Sequence, residues 1–127
     1  MLSKRESVMS YVAYTAVQNA VETPRDLEIR AISHITRQLI EANTPEADPL
    51  DRTRALNGNI RLWSMLVEDL SDAGNALPDP VKGSYISLGL FAHRASIAAL
   101  TEAADLAPLI RINVDVLEAL DQQRMAG

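Results

Sequence analysis

Three times this chain sets a proline directly behind a polar residue and then continues in apolar steps of three and four. The pairs are Thr23–Pro24, Asp48–Pro49 and Asp79–Pro80. Proline lacks the N–H that a helix leaves unpaired in its first turn, and its fixed φ suits that turn, so each pair marks a helix start. A chain punctuated this way, with no alternating runs between the marks, has little choice but to be a set of helices joined by short loops.

The spacing behind each mark supports this. After Thr23, with Asp26 three residues later in a capping-box arrangement, Leu27, Ala31, Ile32, Ile35 and Leu39 lie on one face until about Ala42. After Asp48, with Asp51 favouring the positive helix end, Leu56, Ile60, Trp63, Val67 and Leu70 step by four, three, four, three. That seven-residue seam belongs to helices packed nearly parallel or antiparallel. Behind Asp79–Pro80 the stripe is Val81, Tyr85, Leu88, Ala92, Ala95 and Ala99. Gly83 and Gly89 interrupt it, each at a cost of roughly 1 kcal/mol relative to alanine, and close helix approach would account for both. A fourth helix is predicted over about 106–122. Leu106, Ile110, Asn113, Leu117 and Leu120 form one of its lines and Leu109, Ile112 and Val116 another, wide enough for two neighbours.

The fold class is therefore all-α: a bundle of four main helices with a short N-terminal helix or arm. One domain over 1–127 is expected, divided into arm (1–22), bundle (23–122) and tail (123–127). The arm is the least regular part. Ser3 and Glu6 make a capping box, but "VMSYVAYTAV" is β-branched and aromatic with no single stripe, as in a segment that orders against a partner.

Composition removes several function classes. A net charge of −5 and a pI near 4.9 argue against a nucleic-acid surface. The absence of cysteine excludes disulfides, thiolate chemistry and cysteine-bound zinc. No apolar run has the length of a signal peptide or a membrane span, so the expected place is the cytoplasm.

No catalytic constellation stands out. HExxH, GxSxG, GxGxxG and the phosphate-binding GxxxxGK[ST] pattern are missing. His34 and His93 fall on different helices without a carboxylate at metal spacing, and Ser87 and His93 fall on different faces of one helix. The loop "DLSDAGN" is rich in oxygen ligands. Aligned as a calcium loop from Asp69, however, it puts Ala73 at a ligand position and Pro80 where a bidentate glutamate is needed. No metal, no cofactor and no enzyme activity are expected. In the bland reading Gly74 and Asn75 end the helix through left-handed geometry. Asn113, inside an apolar stripe, is expected to bond across to another helix. Trp63 is either core or an anchor for a partner.

The order of residues from Ala55 to Pro78 resembles the FlaF family of flagellar regulators from α-proteobacteria. The residues that carry the resemblance are Ala55, Leu56, Asn59, Leu62, Trp63, Asp69, Leu70, Asn75, Leu77 and Pro78. "YISLGLFAHRAS" is similar to the family's next segment, with Phe91 standing where tryptophan is commoner. "LAPLIRINVDVLEAL" resembles its closing helix, and "AYTAVQNAVETPRDLE" its upstream part. The resemblance implies a cytoplasmic factor for flagellin production and export that works beside the translational regulator FlbT and binds flagellin as a secretion chaperone does. It is expected to act as a monomer or weak homodimer, without direct contact to nucleic acid or membrane. Partner-binding candidates are Tyr11, Tyr14 and Val17 in the arm, and Trp63, Asn75, Leu77 and Pro78 at the corner. Two alternatives remain open: an adaptor acting on FlbT without holding flagellin, and a homodimeric structural bundle.

Overall fold

The computed structural model describes residues 23–126. They form four helices: α1 (Pro24–Ala42), α2 (Pro49–Ser71), α3 (Asp79–Ala99) and α4 (Ala107–Ala126). Short loops turn each helix back on the last, and packing runs around a ring: α1 on α2 and α4, and α3 firmly on α2. The α3–α4 side is the slackest of the four. The expected helical bundle is present, and the Ser3–Glu6 capping box lies outside the described residues.

The helix starts follow local chemistry. Thr23 Oγ1 accepts from Asp26 N–H at 3.1 Å and Asp26 returns the bond to Thr23 N–H at 3.2 Å. Asp48 accepts from Leu50 N–H at 2.8 Å. At α3 the cap position is Pro78, which makes no side-chain cap bond. The last helix runs four residues past the expected end at 122, through the stretch assigned to a tail. Gln, Arg, Met and Ala are all good helix formers, and nothing breaks the helix before Gly127.

Two expectations about glycine and loop geometry are corrected. Gly83 has no neighbour within 4 Å of where a Cβ would stand, so no close approach explains it. Gly89 does meet its neighbour: a Cβ there would come to 2.6 Å from Val67 Cγ2 and 2.9 Å from Trp63 Cε3. The α2–α3 crossing is that tight, and overpacking it with alanine costs about 1–3 kcal/mol. Nor does left-handed geometry end α2, because no described residue has a positive φ. Asp72 turns extended instead, at φ −70° and ψ 134°, and its carboxylate accepts Gly74 N–H at 2.9 Å. An aspartate standing in for a backbone carbonyl makes a left-handed residue unnecessary.

The core has two joined halves. One gathers Leu39, Leu56, Ala99, Leu106 and Leu109. The other gathers Ile32, Leu62, Trp63, Ala92, Val116 and Leu120. On α2 the buried line is Ala55, Leu56, Asn59, Leu62 and Trp63. The expected seam residues Ile60, Val67 and Leu70 are half-buried beside it. The drift arises because 3.6 residues per turn does not track a seven-residue repeat over a helix this long. Leu27 and Ala31 are likewise exposed at the edge of their predicted stripe.

Candidate binding site at the open end of the bundle

The site rests on a frame of buried hydrogen bonds through the middle of the bundle. Trp63 Nε1 donates to Asn113 Oδ1, Asn113 Nδ2 to Asn59 Oδ1, and Asn59 Nδ2 to Ser96 Oγ, each at 2.9 Å. Ser96 Oγ donates onward to the Ala92 carbonyl at 2.7 Å. Asn59, Ser96 and Asn113 are 0% exposed and Trp63 is 1% exposed. Every link donates in the same sense, and no buried side-chain polar atom among the described residues lacks a partner. Such a chain joins α2, α3 and α4 in a single register, since sliding any helix by one turn would strand several polar groups in the core. Asn113 thus bonds across the bundle to α2, as its place in an apolar stripe suggested. Trp63 is core, with its indole N–H committed inward.

One turn above this frame lies a small hollow where α1 begins, α2 ends, α3 begins and α4 nears its end. Its volume is about 50 Å³. Trp63, Leu66, Leu70, Leu77 and Tyr85 make an apolar wall, with Val116 and Leu120 behind them. Arg25, Glu28, Asp69 and Asn75 make the polar rim. Three corner residues singled out from sequence, Trp63, Asn75 and Leu77, therefore border one hollow. Pro78 is exposed beside it at the cap of α3. Tyr11, Tyr14 and Val17 lie outside the described residues.

The loop that presents Leu77 is built locally. Asn75 Oδ1 accepts Leu77 N–H at 3.0 Å, and Asn75 Nδ2 donates to Asp69 Oδ2 at 3.3 Å. These bonds hold Leu77 half-buried at the mouth, neither plugging the core nor standing free. On the rim, Arg25 and Glu28 pair at 3.7 Å across one helical turn. Burial pushes the Glu28 carboxyl above the ordinary range, Arg25 pulls it back, and the Asp69 carboxylate pushes it up again.

The hollow is small. Sites for small molecules commonly hold several hundred Å³; this one accepts the tip of an aliphatic side chain. Larger space, about 640 Å³, opens between the loops at the opposite end. There Asn43, Arg52 and Asp105 are already engaged in hydrogen bonds that tie those loops together. His34 is exposed on α1 and His93 half-buried on α3, helices that lie diagonally across the ring.

The sequence model for the family described as flagellar protein FlaF matches residues 10–120 of the chain. The chain belongs to the FlaF family. It is a flagellar protein by that membership. Searches among curated proteins and among solved structures returned no match. Of the residues that carried the FlaF resemblance, Ala55, Leu56, Asn59, Leu62 and Trp63 are buried on α2, Trp63 also borders the hollow together with Asp69, Leu70, Asn75 and Leu77, and Pro78 is exposed beside it. Sequence reasoning missed Asn59 and Ser96 as partners. The available signal was Asn59 four residues before Trp63 on one helix face, and a lone serine among alanines. Among the described residues no helix is long and apolar enough to cross a membrane.

Proposed function

We propose that this FlaF-family chain binds flagellin in the cytoplasm and, as a chaperone-like regulator, links flagellin synthesis to secretion, without cofactor or catalysis. The observation that carries the reading is the small apolar hollow with a charged rim, opened by a half-buried Leu77 at one end of a rigid bundle. An amphipathic helix laid across that mouth would seat an aliphatic tip against Leu77 and Tyr85 and set polar side chains against Arg25, Glu28 and Asp69. The hollow's size favours such an anchor over a small-molecule substrate.

The test is retrieval of the tagged protein from cells that make flagella, with partners identified by mass spectrometry, followed by binding between purified components. Flagellin retrieved in stoichiometric amount, and bound by the purified chain alone, is the expected result. Retrieval of FlbT with no affinity for purified flagellin would replace this reading with the adaptor. A self-association constant that accounts for all binding would replace it with the structural homodimer.

A further inference from the structure

The rim of the end hollow carries unequal charge. Arg25, Glu28 and Asp69 all border it, and Arg25 and Glu28 stand 3.7 Å apart, longer than a hydrogen bond. Glu28 is half-buried in that loose pair, and Asp69 acts on it as a like charge. Asp69 accepts from the side-chain amide of Asn75, which brings no charge to balance it. The rim thus sets two carboxylates against one guanidinium. The end of α2 and the start of α3 beside it add Glu68, Asp72 and Asp79 against Lys82. Glu68 and Asp69 also lie near the carbonyl end of α2, where the helix disfavours negative charge, and no base in its last turn relieves them. A local rule broken without compensation is expected where a surface must meet a partner.

We propose that the hollow selects a partner helix whose aliphatic anchor stands one turn from a lysine or arginine, with that cation entering between Glu28 and Asp69. This rests on the reading of the hollow as the flagellin site and adds its charge specificity. Residues three or four apart share a helix face. One helix can therefore lower an aliphatic tip against Leu77 and Tyr85 and a base toward the carboxylates of the rim. A cation there gives Glu28 the close partner that Arg25 does not, and offsets the repulsion between Glu28 and Asp69. A helix with an acid at the same place would meet two like charges, so the rim rejects as well as selects. Glu28 and Asp69 then set specificity, and Leu77 supplies the apolar contact.

The experiment measures affinity for purified flagellin with the full-length chain, with Leu77→Ala, and with the double variant Glu28→Gln and Asp69→Asn. The two single amide variants are measured alongside, and thermal melts check that each is folded. Glu46→Gln serves as the reference, since it removes the same charge from an exposed loop at the opposite end. At about 0.05 M salt the double variant should bind at least tenfold more weakly than the unsubstituted chain, and Glu46→Gln within about twofold of it. Raising the salt to about 0.5 M should close most of that gap, because screening weakens only the binding that depends on charge. Binding weakened by Leu77→Ala but unchanged or tightened by the amide variants would overturn the charge specificity and leave the flagellin reading standing. Equal losses in the double variant and in Glu46→Gln would also overturn it, by reducing the effect to net charge. Flagellin left unbound by the unsubstituted chain would remove the flagellin reading and this inference together.

Discussion

At one end of the bundle Asn43 reaches from the close of α1 to the start of α4. Its Oδ1 accepts Leu106 N–H at 3.0 Å and its Nδ2 donates to Asp105 Oδ1 at 2.9 Å. Asp105 in turn accepts Ala107 N–H at 2.9 Å, and Arg52 donates to the carbonyls of Ala104 and Glu102 at 2.7 and 3.3 Å. At the other end, Asp72 and Asn75 bond only within residues 69–77. The first end spends its polar groups tying separate elements together. The second folds one loop on itself and leaves a hollow with an ionisable rim. Stability elements and the proposed binding elements are thus held apart, with the Trp63–Asn113–Asn59–Ser96 chain between them as the common frame.

The comparison is tested most severely through that frame, on which both ends depend. Asn113→Leu removes the acceptor for Trp63 Nε1 and the donor to Asn59 Oδ1, leaving two buried groups unpaired. The expected loss is about 2–6 kcal/mol in denaturant unfolding, from roughly 1–3 kcal/mol for each of the two orphaned groups. A near-neutral outcome would mean that the polar chain is replaceable by apolar packing.

The two asparagines at the ends should then behave differently. Asn43→Ala cuts bonds between distant elements and is expected to cost about 1–2 kcal/mol. Asn75→Ala cuts bonds inside one exposed loop and should cost under about 1 kcal/mol. Equal costs would erase the distinction between a stitched end and an open one.

How far the sequence foretold this depends on the distance over which each feature is made. The caps at Thr23 and Asp48 are contacts within three residues, so residue type and spacing reveal them. Asn113 was legible because an amide within an apolar stripe demands a partner. The identity of that partner was not, because Asn59 lies 54 residues away in sequence and Ser96 37 residues from Asn59. The two glycines of α3 make the same point. Nothing local separates Gly83 from Gly89, and only the tertiary approach of Trp63 and Val67 does. At the corner, Leu77 was legible as the one large apolar side chain in a polar loop. The rim of Arg25 and Glu28 was not, because it comes from the start of another helix.

Acid and base should pull on the two ends in opposite directions. Hydrogen bonds from Ala107 and Asn43 hold the Asp105 carboxyl below the usual aspartate range. Its contribution is therefore present at neutral pH and lost as pH falls through that lowered value. Asp105→Asn should lower the Tm slightly near pH 7, with the deficit fading toward pH 3. Glu28, raised mainly by burial, carries the reverse sign: its neutral form suits the fold, and that advantage is lost as pH rises through the raised value. Glu28→Gln should raise the Tm near pH 7, with the gain shrinking toward pH 4. Thermal scans of both variants across that range check the pair, and shifts of the same sign would contradict it.

The claim that the open end serves binding while the rest serves stability meets its most direct test at Leu77. Leu77→Ala is to be measured for flagellin affinity and for unfolding free energy on one preparation. A half-buried side chain at the mouth should cost under about 1 kcal/mol of stability, while affinity falls at least tenfold, or about 1.4 kcal/mol. A loss of about 2–5 kcal/mol in stability, with affinity unchanged after correction for the folded fraction, would make Leu77 a core plug and remove this end from the binding surface.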